Sequence, residues 1–142
     1  MRTRSATTTT PTTSSAARLH HLALGARDVR RVSAFYRDVL GLRELAEHRD
    51  DAGELRSVWL DLGGAWLMIE RTAAQPRRVD GVGAGPFLLA VRVAPDQREA
   101  LERRLANAEA PIEARTEFSS YARDPEGNRV AISHYPEPPL GE

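Results

Sequence analysis

From Leu19 the hydrophobic positions first recur at every second residue. Leu22 and Leu24 fall on one side and His21 and Ala23 on the other, the period of a half-buried strand. The period then lengthens: Asp28 is placed to cap a helix in which Val29, Val32, Phe35, Tyr36, Val39 and Leu40 recur at helical spacing, and Gly41 supplies its exit. Leu42 to Glu47 predicts a second strand, followed by the polar turn HRDDAGE. The run SVWLDLGGAWLMIE alternates on both sides of Gly63-Gly64 and predicts a β-hairpin. After the connector QPRRVDGVGAGP the same order begins again. FLLAVRV predicts a strand; Asp96 with Glu99 predicts an acidic capping box for a helix whose core face carries Leu101, Leu105 and Ala108. PIEART, SSYAR and RVAISHY predict three more strands, the last two joined at the turn DPEGN. The unit strand-helix-strand-strand-strand is thus used twice, a repeat of about 50 residues, with too few copies for a solenoid.

Composition narrows the chemistry. A chain of 142 residues that is 41% hydrophobic supports one domain with a core. All 20 basic residues are arginine, which removes lysine nucleophiles and Schiff bases. No cysteine is present, so disulfides, thiolate nucleophiles, zinc–thiolate sites and iron–sulfur clusters are excluded, and His, Asp, Glu and Tyr carry any acid–base or metal work. The formal net charge is zero, so neither nucleic acid nor an anionic membrane is an expected partner. Residues 1–17, MRTRSATTTTPTTSSAA, hold no apolar face and are expected to form a disordered tail without targeting features. The tail and Arg18 carry three arginines and no acid, leaving residues 19–142 mildly acidic, with 17 basic against 20 acidic side chains. No apolar run approaches the roughly 20 residues of a membrane span, and a cytoplasmic location is expected. The segment GVGAGP lacks the lysine and the strand-to-helix context of a phosphate loop and is expected to be a linker.

The stretches HHLALGARDVRRVSAFYRDVLGL, WLDLGGAWLMIE, FLLAVRV and YARDPEGNRVAI resemble, along nearly all of residues 19–135, the vicinal oxygen chelate superfamily. That group includes glyoxalase I, fosfomycin-resistance thiol transferases, bleomycin-binding proteins, methylmalonyl-CoA epimerases and extradiol dioxygenases. The resemblance implies an α+β fold of two βαβββ modules whose curved mixed sheets surround a cavity, usually in a homodimer with sites across its interface. The implied organisation is module one over residues 18–72, a linker over 73–85, module two over 86–136 and a C-terminal tail over 137–142. It also implies four metal positions, two per module. His21 and Glu70 fill the first two with ligand types, whereas Leu88 and Ala131 stand where the enzymes usually have His and Glu. Two ligands of types suited to Zn, Ni, Mn or Fe leave such an ion mostly water-bound, so weak or no metal binding is expected. Rescue by neighbours is not expected, because in a period-two strand His20 points away from His21, and His134 away from Ala131.

Strand alternation places Trp59, Asp61, Trp66 and Met68 of module one, and Leu88, Ala90, Arg92, Arg129, Ala131 and Ser133 of module two, on the cavity face. With Tyr121 they describe an apolar slot for a flat or hydrophobic small molecule. Trp59 and Trp66 equally suit hairpin partners or a dimer interface. His21 and Glu70 admit three readings: a structural pair, an acid–base dyad, or the remnant of a metal site. Tyr121 reads as a donor to an oxyanion or to a bound ligand. Arg92 reads as an anion-binding guanidinium or as the partner of Glu70 or Asp61. Arg103 and Arg104, following Glu99 and Glu102, read as an ion-paired, solvated helix face. The functional expectation is metal-independent binding of a hydrophobic or aromatic metabolite, by sequestration or in the manner of resistance proteins. The alternative is an enzyme: a metal-free isomerase, lyase or cyclase using His21 and Glu70, or a metal-dependent lyase, transferase or dioxygenase with a further ligand.

Overall fold

The computed structural model describes residues 17–76, 80–81 and 88–141. All of the expected N-terminal tail but Ala17, and most of the linker, lie outside them. The repeat is present in three dimensions. β1 (His21–Ala26), α1 (Val29–Ala34), β2 (Glu44–Arg49), β3 (Leu55–Asp61) and β4 (Trp66–Arg71) build a four-stranded sheet of order β1-β4-β3-β2. β5 (Leu88–Arg92), α2 (Arg98–Asn107), β6 (Ala114–Arg115), β7 (Ser119–Arg123) and β8 (Arg129–Ser133) build a second one, β5-β8-β7-β6. In each sheet the first strand lies parallel to the last and the rest are antiparallel. The fold is α+β, as expected.

Each sheet buries the face that its helix covers. Leu22, Leu24, Val58, Leu60, Leu67 and Ile69 of the first sheet pack with Val29, Val32, Phe35 and Tyr36; Val130 and Ile132 of the second pack with Leu101 and Leu105, and all join one core. Asp28 caps α1 as expected, its Oδ1 accepting from the Arg31 backbone N–H at 3.0 Å. The helix predicted to run to Leu40 instead changes to a π turn over Phe35–Val39. The wider turn lets two adjacent aromatic residues, Phe35 and Tyr36, both bury, where a regular helix separates neighbours by 100°. Gly41 then leaves at φ +76°, with the Leu42 N–H reaching back to the Tyr36 carbonyl at 2.9 Å.

Three expectations are corrected. Asp96 and Glu99 form no capping box: a 3₁₀ turn, Pro95–Gln97, leads into α2, no side chain caps either element, and Glu99 pairs with Arg103 at 2.9 Å. PIEART contributes a strand of only two residues, because Pro111 lacks a donor and the chain turns at Thr116, whose N–H bonds the Ser119 carbonyl. Arg104 does not join the ion pairs of its own helix face but donates to the Asp38 carbonyl of module one at 2.5 Å.

The modules meet on the helix side. Tyr36 Oη donates to Asp124 Oδ2 at 2.8 Å, and Arg27 pairs with Glu126 at 3.0 Å, so both side chains of module one grip the DPEGN turn of module two. The opposite faces of the sheets are left open: Ala23, Gly25, Trp66, Ala90 and Arg92 are all exposed. Among the described residues no helix is long and apolar enough to cross a membrane.

Candidate functional site: an aromatic face and its counterpart

The open face of the first sheet carries a row of rings supplied by β2, β3, β4 and the entry to β1. Trp59 and Trp66 stack with centroids 5.1 Å apart and planes 30° from parallel. They are diagonal neighbours across the hairpin, since Trp59 lies opposite Met68 and Trp66 opposite Asp61. His48 extends the row beyond Trp59 at 4.6 Å, and His20 meets the edge of Trp66 at 4.8 Å. Sequence reasoning missed His48, assigning it to a turn; β2 runs two residues further, through irregular pairing, and carries it onto this face. His48 Nε2 and Trp59 Nε1 are buried and have no hydrogen-bond partner among the described residues.

His20 also departs from expectation. It precedes β1, so strand alternation does not govern it, and its Nδ1 lies 2.8 Å from His21 Nδ1. One ring must donate the shared proton and the other accept it. Glu70 does not join them. The parallel register sets Trp66 opposite His21 and Gly25 opposite Glu70, four residues further along the strand. At a rise of about 3.3 Å per residue this is about 13 Å. The His21–Glu70 pair, whether structural or catalytic, is therefore not formed within this chain. Asp61, opposite Trp66 and level with His21, is held ionised: the Gly63 N–H at 2.7 Å and then Arg43 at 3.3 Å keep its carboxyl below the usual range, which makes it a turn-stabilising group.

The second sheet repeats the register. Leu88 lies opposite Arg129 as His21 lies opposite Trp66, and Ala90 opposite Ala131 as Ala23 lies opposite Met68. Tyr121 faces Ala131 as Trp59 faces Met68. The counterpart of Ala131 in module one is therefore Met68, and that of Glu70 is Ser133. Ser133 Oγ accepts from Ser119 Oγ at 2.8 Å. Arg92 pairs with neither Glu70 nor Asp61 but with Glu137 at 2.8 Å, and its side chain is largely exposed. His134 faces away from Ala131 as expected. Its Nε2 accepts from Arg98 at 3.0 Å and its Nδ1 donates to the Glu137 carbonyl at 2.6 Å, so both ring nitrogens are committed.

These donors do not fit a family-type metal centre. Of the four register-equivalent positions, His21, Met68, Leu88 and Ala131, only the first carries a strong ligand. Among the described residues no group of three or more His, Cys, Asp or Glu side chains is placed to hold an ion.

The comparisons agree with this architecture. The chain resembles a crystal structure of a glyoxalase/dioxygenase from Nostoc punctiforme, at 20% identity and TM-score 0.70, covering 93% of this chain and 100% of that one. A lactoylglutathione lyase from Agrobacterium tumefaciens is 24% identical with TM-score 0.62, covering 85% and 96%. The fosfomycin resistance protein FosX from Listeria monocytogenes, an E126Q mutant complexed with Mn(II) and 1S,2S-dihydroxypropylphosphonic acid, is 15% identical with TM-score 0.68, covering 83% and 92%. At these identities they show the fold alone. No curated protein matches the chain in sequence. The family model of the Glyoxalase/Bleomycin resistance protein/Dioxygenase superfamily matches residues 18–132, and the chain belongs to that family.

Proposed function

We propose that this protein binds a small, flat, hydrophobic or aromatic molecule on the ring-lined face of the first sheet, without a tightly bound metal, as a homodimer in which a second copy helps to enclose it. The observation that carries the reading is the row His48, Trp59, Trp66 and His20 on a face the chain leaves open. Aromatic faces favour stacked or edge-on partners, and such contacts add about 0.5–1.5 kcal/mol beyond area burial. Two ring nitrogens in the row are left without partners, a cost that proteins tolerate mainly where function requires it. The residues at the register-equivalent positions, Met68, Leu88 and Ala131 beside His21, support a reading without the kind of metal held in the Mn(II) complex of FosX.

The probe is 2-naphthamide, flat and uncharged, titrated into tag-free protein by calorimetry. Trp59→Ala and Trp66→Ala are each expected to weaken binding about tenfold, the upper range for a lost stacked pair. Elemental analysis is expected to find no stoichiometric divalent ion. Micromolar affinity for Zn, Ni, Mn or Fe(II), with a chemical activity that a chelator removes, would sink the metal-free reading.

One observation favours an enzymatic variant of the same site. The His20–His21 pair shares a proton at an exposed position beside Trp66, which suits transfer of a proton to or from a stacked carbonyl compound. That variant uses His21 with His20 rather than with Glu70. His21→Ala would then remove turnover and leave 2-naphthamide affinity unchanged.

A further inference from the structure

The face of the second sheet that bears Ala90 and Arg92 also carries a buried cation that no described residue neutralises. Arg129 is only 5% exposed. Its Nη1 donates to the Gly81 carbonyl at 2.6 Å, and that is the one hydrogen bond it makes among the described residues. Its Nε is buried and unpartnered. Nη2 makes no hydrogen bond either, yet is not among the buried unpartnered atoms, so it is the guanidinium nitrogen that reaches the surface. Among the described residues no carboxylate stands within ion-pair distance of Arg129. Its neighbour across the strands, Arg123, is satisfied by Glu113 at 3.1 Å and by the Gly127 carbonyl at 3.0 Å.

Burying a charge without a counter-ion is costly, and proteins retain such a group where a partner arrives from outside. The Gly81 carbonyl holds Nη1 and so fixes the plane of the guanidinium, leaving Nη2 as the charge-assisted donor that a carboxylate can reach. Strand alternation puts Tyr121 on the same face, one diagonal position away, and its hydroxyl donates to none of the described residues.

We propose that Nη2 of Arg129 receives the carboxylate of an anionic ligand, with Tyr121 beside it. Resting on the reading of this family member as a binder of flat apolar molecules, the inference narrows the ligand to an aromatic or hydrophobic carboxylic acid. Arg92, the arginine that strand alternation marks for such a role, is engaged with Glu137 and does not serve it.

The test compares 2-naphthoate with its uncharged isostere 2-naphthamide by calorimetry at low salt, on the tag-free full chain. Wild type is expected to prefer the carboxylate by about tenfold to a hundredfold, the range for a hydrogen bond to a charged group. Arg129→Met is expected to remove that preference, the loss falling far more on 2-naphthoate than on 2-naphthamide. Arg129→Gln, which keeps an amide donor and loses the charge, should lose most of it too, and serves if the Met variant fails to fold. Equal binding of both probes to wild type overturns the inference and leaves the aromatic reading intact; failure of both probes to bind overturns the two together. Dissociation of a dimer on Arg129→Met would show that a second copy's carboxylate occupies Nη2, which also overturns it.

Discussion

At the scale of single residues, the tightest coupling between the modules is the hydroxyl of Tyr36 on Asp124. Asp124 is buried and accepts four hydrogen bonds, from the backbone of Glu126 and Asn128, from Asn128 Nδ2 and from Tyr36. Burial pushes its carboxyl up, and the bonds from Asn128 and Tyr36 oppose that push. Burial first, and then the Asp124 charge, push the Tyr36 hydroxyl well above its ordinary value, so it remains a donor. Tyr36→Phe removes one of four donors to a buried carboxylate and keeps the ring in the core. It should cost about 1.5–3 kcal/mol, the range for a hydrogen bond to a charged group, read as a lower urea midpoint at unchanged slope. An unchanged midpoint would mean that the three remaining donors suffice. Arg27 and Glu126 bridge the same junction, but with the Arg27 side chain half exposed, and Arg27→Ala should cost less than Tyr36→Phe.

At the scale of elements, α2 is fastened to its sheet by polar groups. Glu102 receives Arg115 through three bonds of 3.0–3.2 Å and Ser120 Oγ at 2.5 Å, while Arg98 lies 3.6 Å away. Arg115 foremost holds the Glu102 carboxyl below its ordinary value of 4.5. A carboxyl depressed in the folded state contributes stability that is present above the unfolded value and lost as pH falls through the folded one. Glu102→Gln should therefore be less stable than wild type at pH 7, and the gap should close as urea titrations are taken down through about pH 4 and below. A gap independent of pH would assign the loss to packing. Element order was legible because hydrophobic period changes cleanly at Asp28, Gly41 and Gly63-Gly64, and those residues cap, exit and turn as their chemistry dictates. Register was not. A period of two says which face Glu70 shares but not which residue of β1 it lies opposite, so Glu70 stood next to His21 in sequence logic, although Met68 is the counterpart of Ala131. Nor does alternation reach past a strand's end, which is why His20 and His48 escaped it. Arg129 lies on the face that alternation gives it, but no sequence pattern reveals that its guanidinium lacks a counter-ion among the described residues.

At the scale of the whole molecule, helices face helices, and the sheets present their other faces outward. Ala23, Gly25 and Ala90 expose small residues beside Trp66 and half-buried Met68 and Leu88, a surface flat enough for close approach by another sheet. Water is a poor neighbour for contiguous apolar surface of this kind, and the homodimer proposed here covers it. Light scattering should accordingly give twice the chain mass for wild type. Ala90→Arg places a long cation on the open face, away from the core, so the helix-side packing and the circular dichroism should survive while the mass falls to that of one chain. The same variant separates the two ways of building the site. If 2-naphthamide affinity falls with the dimer, the ring row of one chain is completed by the second sheet of another, and Arg129 then acts on a ligand stacked against a neighbour's tryptophans. If the monomer binds as tightly as the dimer, the face formed by His48, Trp59 and Trp66 is sufficient alone, and dimerisation is a separate matter of covering apolar surface.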